Sequence, residues 1–382
     1  MLYEADPTMR VESGRRPPGR LLFKRQYPNQ GVSNFLFQVK RFLADANCEQ
    51  RPPVVACLAL AGPVTENRCL MTNRGWVIDG YELSLELGIK EVRLVNDFVA
   101  AGFGLLTLDL CSEVLTLQEG ARCLGAPIAC IGSGTGLGET FLAAPHGSTA
   151  YEAFPTEGGH VALAPRSELE FEMVQWMKEH LHAKRISVER VVSGRGIATV
   201  YEFLAQRFPE RVDRAVHDEF LNAGDLQGAV ISRGAKVEVR ARGSLCRQTL
   251  EMWATHYGME AGHAALKFMP LGGLFLAGGM TPKLIDWLTG PDSCFMKAFK
   301  DQGRVSPMLD AIPIYAVLEE DIGQRGAHYA ALMLYQREEE QHHLNDKQVV
   351  TGVANSTTTR LLLAVAVASA ATGAVIARLS RN

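Results

Sequence analysis

PIACIGSGTGLGETFLAA, residues 127–144, decides how the chain is read. It is apolar, then glycine-rich, then apolar again, the pattern of a strand–turn–strand hairpin. Within GSGTGLG (132–138) the small residues let successive backbone N–H groups turn inward and form a nest for phosphate oxygens. The run lacks the Lys-Ser/Thr of a P-loop. Leu137 and Glu139 stand where a GxGxxG turn would carry its third glycine. The stretch is therefore neither an NTPase P-loop nor a dinucleotide-binding turn. A plain glycine-rich hairpin stays open beside the phosphate nest.

Outward from the hairpin, strands alternate with helices, which predicts an α/β architecture. LYEAD (2–6) and RLLFKRQY (20–27) read as strands around a Gly/Pro/Arg-rich turn. Ser33 to Ala46 has helical periodicity, with Phe35, Val39, Phe42 and Leu43 on one side. VVACLALAG (54–62) and VRLVNDF (92–98) read as buried strands, the second breaking into polar residues at its carboxyl end. Leu169 to Leu181 reads as a helix with Ser167 as N-cap, and a helical region continues over Tyr201 to Arg207. Leu245 to Phe268 is a long helix. GGLFLAGGM (272–280) is a strand running into a helix whose N-cap and first position would be Thr281-Pro282. AIPIYAV (311–317) is a late strand, Gly326 to Tyr335 is the closing helix, and no repeat is evident.

Four constellations can carry chemistry. The Gly-rich turn is the first. Asn96-Asp97 is the second: at the carboxyl end of a strand a carboxylate can take a hydroxyl proton while the adjacent amide fixes its direction. A helix N-cap is the competing reading there. Third, Glu157-Gly158-Gly159-His160 brings two hydrogen-bonding side chains to one ligand, with a core histidine as the alternative. Fourth, LAGGM (276–280) lets a flat ring approach the backbone, or is only a tight turn. No metal site is read, because a metal needs more ligands than stand near His160.

The composition agrees with an enzyme body. The 382 residues are 47% hydrophobic and 21% charged, enough for two domains with a sizeable core. A net charge of −3 argues against nucleic acid as a partner. Eight cysteines without a CxxC pair read as buried, reduced thiols of a cytoplasmic protein. The N-terminus has no apolar signal region. Leu361 to Ala377 is an uncharged run of 17 residues, seven of them alanine. As a helix it would span about 25 Å against a hydrocarbon core of about 30 Å. Two readings stand: an anchor on an organelle membrane, or a helix packed on the body or a partner.

Each signal is ordinary alone; their order is not. MTNRGW (71–76), LVNDF (94–98), PIACIGSGTGLG (127–138), EGGHVALAP (157–165), ERVVSGRG (189–196), GGLFLAGGMTPK (272–283) and GAHYAA (326–331) together resemble the bacterial-type glucokinase family, over about Leu2 to Tyr335. The resemblance implies a two-domain actin-like ATPase (ribonuclease H-like) fold with the active site in an interdomain cleft. It implies that ATP with Mg²⁺ phosphorylates glucose at the 6-hydroxyl. Asp97 would be the catalytic base, and Asn96, Glu157, His160 and Glu189 would bind the sugar. Gly132, Gly134, Thr135 and Gly136 would cradle the phosphates, and Gly278 and Gly279 would border the adenosine. A homodimer is implied too.

The expected domains are a small one at 1–107 plus 318–335, a large one at 108–317, a polar linker at 336–360 and an apolar C-terminal helix at 361–379. One departure stands out. The family begins with a strand and an Asp-x-Gly-Gly-Thr phosphate loop, and MLYEADP looks like the strand after it. The expectation is then either a gene start placed too late, or a sugar-binding pseudokinase lacking a central strand and half of the ATP clamp. Fructose or mannose is a further possible acceptor, since sugar choice rests on a few hydrogen bonds.

Overall fold

The computed structural model describes residues 1–6, 8–28, 31–32, 34–71, 74–236, 244–349 and 360–367. The chain divides into two compact units, Met1–Cys111 with Asp321–Asn382, and Ser112–Glu320.

The first unit opens with β1 (Leu2–Ala5), β2 (Arg20–Phe23) and α1 (Phe35–Asp45). Asn34 caps α1 by accepting from the Leu36 amide at 2.7 Å, and the expected face of Phe35, Val39, Phe42 and Leu43 is buried. Ser33, where that helix was expected to begin, lies outside the described residues. Next come β3 (Val55–Leu60), β4 (Val64–Thr65), β5 (Arg68–Met71) and β6 (Trp76–Asp79). They lead to α2 (Gly80–Leu87), β7 (Glu91–Asn96) and α3 (Asp97–Leu105). Every residue of β3 is buried, as an interior strand covered on both faces requires. β3 and β7 run parallel, from Val55 opposite Glu91 to Leu60 opposite Asn96. β4, β5 and β6 form a small antiparallel sheet beside them.

The second unit is built on six strands: β8 (Val114–Gln118), β9 (Ile128–Ser133), β10 (Leu137–Ala143), β11 (Glu152–Thr156), β12 (Leu274–Ala277) and β13 (Ile314–Val317). Their order is β11-β10-β9-β12-β13-β8. β12 is parallel to both β9 and β13, while β9, β10 and β11 form an antiparallel meander. The helices are α4 (Glu168–His180), α5 (Gly194–Arg207), α6 (Arg214–Asn222), α7 (Gln227–Lys236), α8 (Leu245–Phe268), α9 (Met280–Lys283), α10 (Ile285–Leu288) and α11 (Cys294–Lys300). α8 is the core of the unit, with Trp253 and Tyr257 fully buried. At Gly258 an added Cβ would stand 2.1 Å from the Phe295 carbonyl, so only glycine lets α11 pack this closely.

The chain then returns to the first unit through α12 (Ile322–Val349). Gly326 backs onto α3, where an added Cβ would lie 1.6 Å from the Ala100 carbonyl. The last described element is β14 (Arg360–Val367), and it completes a five-stranded sheet of order β2-β1-β14-β3-β7.

Several expectations are corrected here. Gln336–Val349 continues α12 and is not a linker. Its Glu, Gln, Lys and Arg residues are good helix formers, and Glu338 pairs with Lys90. Arg360–Val367 is a strand and not a helix, because it pairs with a neighbour on each side. Positions 350–359 and 368–379 of the expected linker and helix lie outside the described residues, as do Thr72 and Asn73 of MTNRGW. Among the described residues no helix is long and apolar enough to cross a membrane. In the sheet of the first unit β14 lies between β1 and β3. α9 is capped at Gly279, and Thr281 lies inside it, donating to the Ala277 carbonyl at 2.7 Å. The strand over 92–98 ends at Asn96. Not all cysteines are buried: Cys111 and Cys123 are exposed. Burial pushes the Cys57 and Cys130 thiols up to about 12.

Candidate active site

In the first unit the polar end of β7 becomes the start of α3. Asn96 is the N-cap: its Oδ1 accepts from the Phe98 and Val99 amides at 2.9 and 3.3 Å. Its Nδ2 donates to the Gly62 carbonyl at 3.2 Å, which leaves one amide hydrogen for a ligand. The N-cap reading of this dipeptide is thus realised by Asn96, and Asp97 becomes the first helical residue. Asp97 is half-buried and accepts from the Phe98 amide at 3.0 Å. The Cys69 thiol is held above its ordinary range, chiefly by burial and then by the Asp97 carboxylate.

Asn67, which the sequence reading passed over, braces this corner. Its Nδ2 donates to the Val92 carbonyl and its Oδ1 accepts from the Leu94 amide, both at 2.8 Å, so one side chain imitates a strand beside β7. Gly80 makes room for it, since a Cβ there would lie 2.2 Å from Asn67 Nδ2.

The second unit gathers the remaining candidates around the start of β10. Gly134, Thr135 and Gly136 form the turn between β9 and β10, closed by the Gly134 amide donating to the Gly136 carbonyl at 2.8 Å. Glu189 reaches this turn. Its Oε2 accepts from the Leu137 amide at 3.1 Å and lies 2.4 Å from where a Gly136 Cβ would be. Gly134, in contrast, opens onto free space, with nothing within 4 Å of its would-be Cβ. One side of the turn is closed by a carboxylate and the other can receive a ligand.

The EGGH turn packs on the same strand. An added Cβ at Gly159 would stand 2.0 Å from the Leu137 carbonyl, and one at Gly158 would stand 1.9 Å from Glu139 Oε2. Glu157 and His160 both point outward, Oε2 and Nε2 3.7 Å apart, so His160 is not a core histidine. The Val188 amide donates to the Val161 carbonyl at 3.0 Å and ties the EGGH segment to the Glu189 segment.

Gly278 has φ +84, and its would-be Cβ lies 2.4 Å from the Ser133 carbonyl, so the LAGG turn sits directly on the Gly-rich turn. Gly279, next to it, has Lys283 Nζ 3.8 Å from its would-be Cβ.

Two further features were missed by the sequence reading. Ser193 caps α5 by accepting from the Gly196 amide at 2.9 Å, and the Gly194 amide donates to the Gly134 carbonyl at 2.9 Å. The positive end of a 14-residue helix therefore borders the Gly-rich turn. A serine ahead of a helical run was the available signal. Glu139 is the other: it lies under Gly158, 3% exposed, and its carboxyl is pushed up to about 8 by burial and then by Glu260, with Lys267 opposing. Nothing in its sequence neighbourhood marks it.

The second unit thus brings together Gly132, Gly134, Thr135, Gly136, Glu157, His160, Glu189, Gly278 and Gly279, and the first unit holds Asn96 and Asp97 on one helix start. A glycine cradle at a helix N-terminus suits phosphate, and an exposed carboxylate beside an imidazole suits a polyhydroxylated ligand.

Comparison with known proteins agrees with this chemistry. The profile of the family described as "Glucokinase" matches residues 10–334. A glucokinase of Trichormus variabilis is 38% identical over 320 residues, covering 82% of this chain and 92% of that protein. One from Synechocystis is 37% identical over 324 residues, covering 81% and 89%. Among solved structures, the glucokinase from an Antarctic psychrotroph is 25% identical with a TM-score of 0.62, covering 82% and 89%. The glucokinase of Balamuthia mandrillaris, solved in complex with glucose, shares the fold at 18% identity and a TM-score of 0.65, covering 80% and 84%.

Proposed function

The chain belongs to the glucokinase family, and we propose that it transfers the terminal phosphoryl group of ATP to the 6-hydroxyl of glucose, with Asp97 as the base. ATP enters as its Mg²⁺ complex. The observation that carries the reading is the convergence of the Gly-rich turn, the EGGH turn and Glu189 on the first residues of β10. One strand start then serves both substrates.

On this reading the open side of Gly134 receives phosphate oxygens, helped by the α5 N-terminus, while Gly278 and Gly279 border the adenosine. Glu157, His160, Glu189 and the remaining Asn96 hydrogen contact sugar hydroxyls. Asp97 accepts the proton of the 6-hydroxyl as that oxygen bonds to the terminal phosphorus. The bond from phosphorus to the bridging oxygen breaks, and ADP leaves. Phosphoryl transfer asks mainly for positioning and charge neutralisation, which the cradle, the helix end and the metal would supply.

The test is a coupled assay of the purified chain with MgATP and glucose, fructose or mannose. Asp97→Asn is the companion variant, with glucose affinity measured by calorimetry. The expected result is glucose phosphorylation by the parent, a loss of kcat of about 10³-fold or more in the variant, and nearly unchanged glucose binding. Full activity in Asp97→Asn removes the base role. A parent that binds glucose but never consumes ATP removes the kinase reading.

A further inference from the structure

Behind the EGGH turn the second unit carries a cavity of about 270 Å³ that the proposed chemistry does not use. One wall is a face of α4, where Phe171, Val174, Gln175 and Lys178 recur at helical spacing. The other wall is two extended segments, bridged antiparallel at Ala162 and Ser187. The Leu163 amide donates to the Ile186 carbonyl at 2.9 Å and the Val188 amide to the Val161 carbonyl at 3.0 Å. Leu163, Val174 and Ile186 are buried and give the cavity an apolar floor, whereas Phe171 is 55% exposed.

Lys178, Lys184 and Arg185 line the same cavity, and none of the three stands in an ion pair among the described residues. Two carboxylates of α4 are engaged elsewhere. Glu170 accepts from the Arg166 amide at 2.6 Å, and Glu172 pairs with Arg207 at 2.7 Å. Uncompensated cations around an apolar floor fit a ligand that carries an anion on an apolar body. The anion gains charge-assisted hydrogen bonds while the body leaves water. Three cations match a phosphate monoester, with its charge of about −2 and three acceptor oxygens, better than a single carboxylate.

The cavity is wired to the residues proposed to hold sugar. Arg185 Nη1 donates to the His160 carbonyl at 2.6 Å. One wall follows directly on His160, and the other runs directly into Glu189. We propose that this cavity is an effector site for a small phosphate ester with an apolar body, which draws Arg185 off the His160 carbonyl and so weakens the hold on sugar. The link to sugar rests on the glucokinase reading; the anion site does not.

The probe is phenyl phosphate, with inorganic phosphate and benzyl alcohol as its two halves. Calorimetry on the intact chain without ATP is expected to give a Kd below about 1 mM for phenyl phosphate, and binding at least about tenfold weaker for each half. Lys178→Ser/Lys184→Ser should raise the Kd for phenyl phosphate at least about tenfold and leave phosphorylation by the unliganded chain unchanged. Saturating phenyl phosphate should raise the calorimetric Kd for glucose about fivefold or more in the parent, and not in the double variant. Arg185→Gln should raise that Kd without the probe and remove the further response. No binding at about 10 mM overturns the proposal. So does binding that survives in the double variant, or that Gly134→Ala abolishes, because the probe then sits elsewhere. A glucose Kd that phenyl phosphate leaves unchanged overturns it too. If the parent phosphorylates no sugar, yet phenyl phosphate still needs the two lysines and still shifts the glucose Kd, the kinase reading falls and the effector site stands.

Discussion

Glu189 is the residue proposed to serve two substrates. Its carboxylate accepts from the Leu137 amide in the Gly-rich turn proposed to hold phosphate, and it stands beside the EGGH segment proposed to hold sugar. Glu189→Ala removes the acceptor and leaves the Leu137 amide without that bond. The expected outcome is a rise in KM for both glucose and ATP, each about tenfold or more. Glu189→Gln keeps an acceptor oxygen at the turn, so it should raise the KM for glucose far more than that for ATP. Equal effects of Glu189→Gln on the two constants would show that the bond to the turn is not what the carboxylate contributes. Glu139 makes a different prediction. Its folded-state pKa, near 8, lies above its unfolded value, so between about pH 4.5 and 8 the folded state holds a proton that the unfolded state has lost. Stability from this site is therefore present below pH 4.5 and falls as pH rises toward 8, by an amount on the order of a few kcal/mol. Glu139→Gln keeps the shape without the charge. It should flatten that fall, read as Tm of the second unit's transition against pH; an unchanged slope would mean the carboxyl ionises freely.

At the level of elements, the three glycine turns separate by what each glycine faces. Gly134→Ala meets open space in the free protein, so its Tm should stay within a degree or two of the parent. Its new methyl would enter the space proposed for phosphate, so KM for ATP should rise at least tenfold while KM for glucose holds. Gly278→Ala combines φ +84 with backbone 2.4 Å away, neither of which can yield cheaply. It should destabilise the second unit by roughly 2 kcal/mol or more, measured by denaturant unfolding. An ATP effect in Gly278→Ala without any loss of stability would contradict this division.

The same elements mark what the residues alone could tell. The β9–β10 hairpin was legible because its glycines fall between two apolar runs, and Ser167 before α4 because a cap is a local device. The seating of EGGH on Leu137 was not, since that contact joins residues some twenty positions apart through backbone atoms that carry no residue code. The Thr281-Pro282 start of α9 was misplaced because β12 ends at Ala277 and Gly279 already takes the N-cap position. The part of Leu361–Ala377 that is described, up to Val367, was misread for a physical reason: the uncharged run is longer than an ordinary strand, and alanine favours helix. Only the open seat between β1 and β3 decides the conformation of Arg360–Val367, and that seat is made by residues more than three hundred positions away.

Over the whole molecule, two buried titratable groups act in opposite directions, His328 in the first unit and Glu139 in the second. In the first unit His328 is 3% exposed and stacks on Tyr3 with ring centroids 3.7 Å apart. Burial, followed by the nearby N-terminal ammonium, lowers its pKa to about 4. The unfolded chain takes up a proton near pH 6.5 while the folded unit refuses one until about 4. Stability from this site is thus intact above 6.5 and is lost as pH falls toward 4. Glu139 makes the second unit lose stability as pH rises instead. Acid should therefore weaken the first unit through His328, and rising pH the second through Glu139, while His256, buried in the second unit with its pKa lowered by burial, makes that unit lose stability in acid as well. Trp76 reports the first unit, and Trp176, Trp253 and Trp287 report the second. Melting a Trp76→Phe variant beside the parent separates the two signals. Between pH 6.5 and 4.5 the Trp76 component should shift to lower temperature, and His328→Phe, which keeps the stack on Tyr3 without a titrating nitrogen, should remove most of that shift. A Trp76 shift unaffected by His328→Phe would place the acid sensitivity of the first unit elsewhere.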